Sequence, residues 1–390
     1  FLDYTTVGIL PSHLLRGVRA ADLPGLDFNL NPVGTGPFQM DEIAVQDKDI
    51  TSIVLEQFRR YYGGRANLDR VQFRFYASDQ NVLNAYEAGE VEGVGRIPIQ
   101  ERERVLGYPT LDLFSAPIAR YNLIFLNLAR DDLPFLQEPE VRQALLYGLD
   151  RQRIVDEVLD GQAVVVHSPI LPGNWAYDED IPHYDYDPEQ AARLLDSVGW
   201  FRALLDRGVR HKKGGRLAFT LLVSSDPERV AAAQEIVRQW NTIGVTATVQ
   251  IAAPDKVYQA LAARDFDAVL TQIALPGDPD PYPFWHETQV EGGQNYSGLK
   301  HRRISEVLEQ ARIIVSRDRR KELYDEFQTL FAQEVPALLL YSPVYTYGVD
   351  ERIHDVQIGP LTYPSDRFRT ISDWWIVSRR VFVSESEARP

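Results

Sequence analysis

Alternation of apolar and polar positions is clearest over Val71–Tyr76. Val71, Phe73 and Phe75 alternate with Gln72, Arg74 and Tyr76, the period of a half-buried strand. Ile50–Phe58 alternates in part and predicts a strand before it, with Tyr61–Gly64 turning the chain between the two. Upstream, Asn31–Met40 (NPVGTGPFQM) reads as a turn leading into a strand. Gly34 and Gly36 permit backbone angles closed to other residues, and Pro37 fixes φ. GTG here lacks the spaced glycines and Lys-Ser/Thr ending of a phosphate cradle. Residues 1–30 predict a short helix or turn, with Pro11 able to open a helix, and then a loop. Asp79 is the expected cap of a helix carrying Val82, Leu83, Tyr86 and Ala88 and ending at Gly89. Glu90 and Glu92 follow at once, at a cleft mouth or on a solvated rim.

The middle of the chain changes period. A crossing segment falls within Leu111–Leu128, and Tyr121–Leu128 is strand-like. Pro139 starts a helix with Val141, Ala144, Leu145 and Leu149 on one face, and a second short helix runs near Arg151–Leu159. Residues 167–187, rich in Pro, Tyr and Asp, predict a long ordered loop. Asp187-Pro188-Glu189-Gln190 is a helix start with the elements of a capping box; Ala191, Leu194, Leu195 and Val198 form the apolar side and Gly199 the stop. From Leu217 the order is strand (217–223), helix (228–243), strand (245–251), helix (255–263), strand (266–272). That order implies a mixed or partly parallel sheet covered by helices. Ile304–Val315 and Arg319–Phe331 predict two more helices, the second capped by Asp318. Pro336 ends the pair and Ala337–Tyr341 begins a final apolar strand. The tail alternates short strands and turns through Trp374-Trp375-Ile376 and turns polar after Ser384.

The 390 residues suffice for two or three domains. With 41 basic and 56 acidic side chains the formal charge is −15, which argues against non-specific nucleic-acid binding. There is no cysteine, so disulfides, thiolate metal sites and a cysteine nucleophile are excluded. The seven histidines, at 13, 167, 183, 211, 286, 301 and 354, are dispersed and form no HExxH, so no metal site or cofactor is expected. No GxSxG elbow is present, and the chain is not expected to be an enzyme. Paired glycosidase carboxylates need no sequence proximity and leave a hydrolase as an alternative. No apolar run approaches the roughly 20 residues that span a bilayer. Residues 202–216 are locally basic (Arg202, Arg207, Arg210, His211, Lys212, Lys213, Arg216), reading as a solvated hairpin or loop or as an anion or RNA contact.

Several separated blocks then agree. They are NPVGTGPFQM with Tyr61-Tyr62-Gly63-Gly64 and Leu68-Asp69-Arg70-Val71; Val141-Arg142-Gln143-Ala144-Leu145 through Leu149-Asp150-Arg151; Asp185–Glu189 through Leu194-Leu195 and Gly199-Trp200; and Asn295-Tyr296-Ser297-Gly298 with Arg320–Phe331 and Val335-Pro336. In order and spacing the chain resembles the family 5 extracellular solute-binding proteins of ABC importers, which include oligopeptide-, dipeptide- and nickel-binding members. The resemblance covers nearly the whole chain. It implies an α/β, two-lobed, periplasmic-binding-protein-like type II fold that captures a small solute reversibly and hands it to a membrane permease. The expected lobes are 1–112 with 345–390 (lobe I, partial) and 113–344 (the distal lobe). The chain begins FLDYTTVGILP without an initiating Met. Since the family usually has a large portion before the equivalent of Ile9-Leu10-Pro11, the expectation is a fragment or processed product. Its lobe I would be incomplete, with exposed apolar surface. The expected location is periplasmic or extracellular, with a lipid anchor on the missing N-terminus as one option. A peptide is the leading ligand and a sugar or oligosaccharide the alternative; a hydrolase or an interaction domain is the alternative of another class.

The sharpest local candidate is Pro276–His286 (PGDPDPYPFWH), after the strand at 266–272. A rigid loop at a strand end can present carboxylates to a cleft. The resemblance implies that an aspartate here receives a peptide's α-amine; Asp278 takes that role first and Asp280 second, through a charge-assisted bond. Tyr282, Phe284, Trp285 and Tyr296 are candidate walls for ligand side chains. Arg120, Tyr121 and Asn122, near the crossing into the distal lobe, complete the set, with Arg120 able to meet a carboxylate.

Overall fold

The computed structural model describes residues 8–377. The polar stretch after Ser384 lies outside the described residues. The chain divides into two compact units, one of residues up to 116 and from 345 on, the other of residues 117–344.

In the first unit Pro11 opens a turn rather than a helix, closed by the Leu14 N–H on the Pro11 carbonyl at 3.0 Å. Short 3-10 turns at Ala20–Gly25 and Asp27–Asn29 follow. The Asn31–Met40 turn leads into β1 (Phe38–Gln46), but neither Gly34 nor Gly36 takes a positive φ. The turn is fastened instead by the Phe58 N–H on the Pro37 carbonyl at 2.8 Å. β1 and β2 (Asp49–Gln57) form a hairpin whose turn residues Asp47 and Lys48 both have positive φ, 51° and 78°, which matches the right-handed strand twist. β3 (Arg70–Arg74) pairs antiparallel with β2. α1 (Asp79–Glu87) is capped by Ser78, not by Asp79: the Ser78 hydroxyl accepts the Asn81 N–H at 3.3 Å. Asp79 sits in the first turn, where a carboxylate favours the helix dipole. Glu90 lies 3.5 Å from Arg74. β4 (Gly93–Val94), α2 (Arg102–Leu106) and β5 (Leu111–Pro117) complete this stretch. Its core is small, with Leu83, Tyr86, Val94, Ile97, Val105 and Leu111 packed together.

The second unit starts with β6 (Arg120–Leu126), α3 (Pro139–Tyr147), the short α4 (Arg151–Arg153) and β7 (Ala163–Val165). α4 runs on into a π turn, Ile154–Val158. α5 (Pro188–Ser197) starts where the sequence places it, with the Asp187 carboxylate accepting the Gln190 N–H at 2.7 Å. Gln190 does not close the box; its side chain accepts from Arg193. The basic run becomes a small antiparallel sheet of β8 (Phe201–Arg202), β9 (Arg210–Lys212) and β10 (Gly215–Arg216). Much of its charge is engaged within the fold. Arg210 is buried and donates to the Ile243 and Trp200 carbonyls and Asp196, Lys212 bonds Glu138, and Arg216 pairs with Asp206.

β11 (Ala218–Ser224), α6 (Pro227–Thr242), β12 (Thr246–Ala252), α7 (Pro254–Ala263) and β13 (Ala268–Ala274) follow in the predicted alternation. After the short α8 (Tyr282–Trp285) come α9 (Arg302–Ile313), α10 (Arg317–Glu334) and the long β14 (Ala337–Asp350). α10 is capped by Ser316 rather than Asp318. The sheet order is β12-β11-β13-β6-β14, with β11 parallel to both β12 and β13, and β6 antiparallel to β13 and β14. Strand alternation gives it two faces. Tyr121, Leu123 and Phe125 pack with Ile304, Leu308, Leu323, Phe327 and Phe331 of α9 and α10. α6 covers the other face, where the fully buried Trp240 meets Phe219 and donates to the Leu145 carbonyl at 2.9 Å. β14 begins at 337, as the sequence predicts, and runs on to 350. Its later residues belong to the first unit, where they pair with β4 and β5. β15 (Ile353–His354) and β16 (Trp375–Ile376) form a last two-stranded ribbon.

Two features generate predictions. The first unit leaves Ile9, Leu14, Leu30, Val33, Val45, Phe75 and Leu106 exposed over its small core. A polypeptide of residues 1–390 is therefore expected to enhance the fluorescence of an anionic naphthalene dye strongly. A cooperative melt with no dye signal would contradict it. In the second unit His167 stacks on His183 at 4.1 Å, and its Nδ1 meets Arg151 at 3.2 Å. Burial first, then the charge of Arg151, pushes its pKa down to about 4. The unfolded chain takes that proton near the ordinary value of about 6.5, so stability is lost as pH falls from about 6.5 toward 4. Melting temperature should therefore drop more between pH 7 and 4.5 in the natural protein than in His167→Gln. Parallel curves would remove the assignment.

Candidate functional site

In the second unit the parallel strands β11, β12 and β13 end at Ser224, Ala252 and Ala274, and the antiparallel β6 starts at that same end with Arg120. Ligands of open α/β sheets gather at the carboxyl ends of the strands. The Leu275 N–H bonds the Ala119 carbonyl at 2.8 Å, carrying the chain off the sheet into the loop that holds Asp278 and Asp280.

Both carboxylates meet arginines from the helix layer. Asp278 accepts from Arg320 at 2.8 Å. Asp280 takes a two-pronged bond from Arg312, through Nε at 2.9 Å and through Nη2. Arg320 also bonds the Tyr324 hydroxyl at 3.1 Å, and that hydroxyl donates to the Pro279 carbonyl at 2.6 Å. Burial raises the pKa of Tyr324, keeping it a donor. Trp175 lies under Arg317 and Arg320, with ring-to-guanidinium distances of 5.0 and 5.1 Å. The loop thus carries two ion pairs and a main-chain bond.

The aromatic candidates divide. Tyr282 is sandwiched between the Arg312 guanidinium, 3.8 Å from its ring centre, and the His286 ring, stacked at 4.0 Å. Phe284 is half-buried against the core, and Trp285 is inside it, 1% exposed, with Phe331 at 4.8 Å and Phe125 at 5.8 Å. Tyr296 sets its ring edge-on to Phe125 at 5.4 Å, with Arg264 over it at 4.6 Å; burial raises the pKa of its hydroxyl. Tyr121 is wholly buried on that same side, and burial pushes its hydroxyl far up. Arg120 and Asn122 alternate with Tyr121 and so take the opposite face of β6. There Arg120 reaches Gln272 at 3.4 Å, and the buried Asn122 accepts from Arg229 at 3.4 Å. Arg229 also donates to the Ser224 hydroxyl at 3.1 Å.

The structure therefore gathers Asp278, Asp280 and Tyr282 into one polar cluster, sets Trp285 and Tyr296 around Phe125, and buries Tyr121 in the same core. It places Arg120 and Asn122 in a second polar group across the sheet. Sequence reasoning missed Trp175, Arg229, Arg312, Arg320 and Tyr324. A signal existed for part of this: Arg317, Arg320, Tyr324 and Gln328 recur at helical spacing along α10. Among the described residues no group of three or more His, Asp or Glu is placed to hold a metal ion.

Comparison with known proteins gives this geometry a setting. The chain is 28% identical over 381 residues to the oligopeptide-binding protein AppA of Bacillus subtilis, covering 96% of this chain and 67% of that one. It is 25% identical to the dipeptide-binding protein of Escherichia coli, covering 85% of this chain and 60% of that one. The chain thus spans about two thirds of the length of these curated relatives. The solved structure of AppA from B. subtilis, in complex with a nonapeptide, superposes with a TM-score of 0.74 at 27% identity, over 95% of this chain and 72% of that one. The α/β fold is the periplasmic-binding-protein type II fold of these structures. The profile of bacterial extracellular solute-binding proteins, family 5 Middle, matches residues 6–296. A match over so much of its length, joined to the shared fold, means that the chain belongs to the family 5 bacterial extracellular solute-binding proteins.

Proposed function

We propose that this chain is the body of the solute-binding component of an ABC importer. It captures a small ligand reversibly between two lobes and delivers it to a membrane permease outside the cytoplasm, in the periplasm or at the cell surface. It performs no chemistry on the ligand. The lobes are residues 1–112 with 345–390, and residues 113–344. A lipid attached upstream is one way to hold such a component near its permease. Family membership carries this reading. The named relatives bind oligopeptides and dipeptides, and one of them is solved with a nonapeptide, which favours a peptide as ligand. A ligand between lobes shifts them toward closure only by contacts that it makes in the closed state.

Asp278 is the first choice for the peptide's ammonium and Asp280 the second, with Tyr282, Phe284, Trp285 and Tyr296 on the same side of the sheet. From β6, Arg120 and Asn122 would meet the ligand at the strand end from the opposite face, with the buried Tyr121 backing the wall. A carboxylate held in place by a guanidinium keeps its direction, which serves an ammonium in a partly dry cleft.

Native mass spectrometry of the protein as purified should reveal retained peptide masses that are lost on mild unfolding. A ligand-free spectrum, together with turnover of peptides or glycosides, would reject the transport reading. Once a peptide is identified, Asp278→Asn should weaken its binding about tenfold or more, the size of a lost charge-assisted bond. The N-acetylated form of the peptide should bind the two proteins equally. Equal losses for both forms would show that Asp278 supports the fold and does not take the ammonium.

A further inference from the structure

We infer that residues 168–178 form a strap, pinned at both ends by Gln328, which presses Trp175 onto Arg320 and so fixes the Asp278 loop; Trp175 and Arg320 are positioning residues. The inference rests on the solute-binding reading for its purpose, while its geometry stands in the second unit alone.

The pin is one side chain. Gln328 of α10 is fully buried. Its Oε1 accepts the Ser168 hydroxyl at 2.7 Å and the Asp178 N–H at 3.2 Å, and its Nε2 donates to the Ala176 carbonyl at 2.9 Å. A buried amide with its donors and acceptor engaged is costly to disturb, so both ends of the strap are held. Between them Ile170 and Ala176 enter the core, and the chain doubles back at Pro172-Gly173, where Gly173 takes φ 87°. The return brings Asn174 to the Gly277 carbonyl at 3.3 Å, a direct touch on the loop.

Trp175 follows immediately. Its ring meets Tyr324 edge-on at 5.9 Å and lies 5.1 Å from the Arg320 guanidinium. Arg320 is further directed by the Ala311 carbonyl at 3.1 Å and the Tyr324 hydroxyl at 3.1 Å. With its plane fixed by these partners, its remaining direction is toward Asp278 at 2.8 Å. Arg317, Arg320, Tyr324 and Gln328 stand at spacings of three and four on α10 and so share one helix face. One polar stripe thereby secures the strap and the loop together. A planar, always-charged guanidinium suits this role, whereas lysine keeps the charge but loses the fork and the stacking face.

Hydrogen–deuterium exchange on the purified protein tests this. In Trp175→Leu and Arg320→Lys, fragments covering residues 274–286 should exchange about tenfold faster, as local opening becomes easier. β11, β13 and α10 should keep their natural rates, and Trp175→Phe, which retains a stacking face, should restore the loop. Unchanged exchange over 274–286 would overturn the strap. So would equal acceleration in β11 and β13, because the substitutions would then merely loosen the core. The readout needs no ligand, so a protein that retains no peptide counts against the transport reading and leaves the decision on the strap to the exchange rates.

Discussion

The second unit depends on long side chains that reach across it to satisfy main-chain carbonyls. Its sheet joins parallel and antiparallel strands through long excursions, and carbonyls at helix ends, strand edges and turns along them are met by buried side chains. An unpaired buried carbonyl costs about as much as a lost hydrogen bond. Arg142 donates to the carbonyls of Leu136, Glu334 and Val335, closing the end of α10 where Val335 turns left-handed at φ 45°. Arg151 serves Val166, Leu339 and Tyr184, and Arg210 serves Ile243 and Trp200. Asn127, Asn295 and Gln328 do the same with amides. Burial lowers the pKa of Arg142 and Arg151 to about 10, so both remain charged at neutral pH.

That arrangement explains why a candidate binding loop can be well placed without being part of the sheet. Residues 276–281 are bonded by side chains of α10, of α9 and of Asn174. Their position is therefore set by side chains, and can be altered one residue at a time while the sheet beneath keeps its register. The same division puts aromatic bulk underneath and charge on top. Trp285 packs on Phe125 and Tyr121 is buried in the same core, leaving Tyr282 between Arg312 and His286.

Much of the second unit is legible in the sequence because period and topology agree. The alternation from β11 to β13, with its two intervening helices, allows few arrangements. Errors arise where two residues compete for one role. Ser78 and Ser316 cap α1 and α10 because a cap must reach the N–H three residues on; the aspartates at 79 and 318 already lie inside the first turn. Ala337–Tyr341 is legible as the start of a strand, and pairing continues past Pro343, with β7 up to that residue and with β4 at Gly348 and Val349. Of the candidate site, the Asp278–Asp280 loop is legible from its prolines and carboxylates. Its arginine partners are not, since Arg312 and Arg320 look like the solvated face of two charged helices until the loop folds onto them. The basic run at 202–216 forms the hairpin that it reads as, but not a wholly solvated one: Arg210 is a core residue that composition counts as surface charge.

On the proposed reading, the paired carboxylates also constrain how the site would recognise a ligand. Asp278, Asp280, Arg312 and Arg320 sum to zero formal charge, so their cluster exerts little net attraction at a distance. Long-range pull on a cationic ligand has to come from the whole chain, at −15, and it weakens with salt. Close selection is a different matter. An ammonium arriving at a carboxylate that a guanidinium already directs gains from alignment, and a ligand whose ammonium is misplaced meets a neighbouring guanidinium of like charge. Charge in such a site discriminates more than it attracts. If Asp278 takes the ammonium as proposed, selectivity for ligand geometry over ligand charge follows, and it depends on how firmly the loop is held.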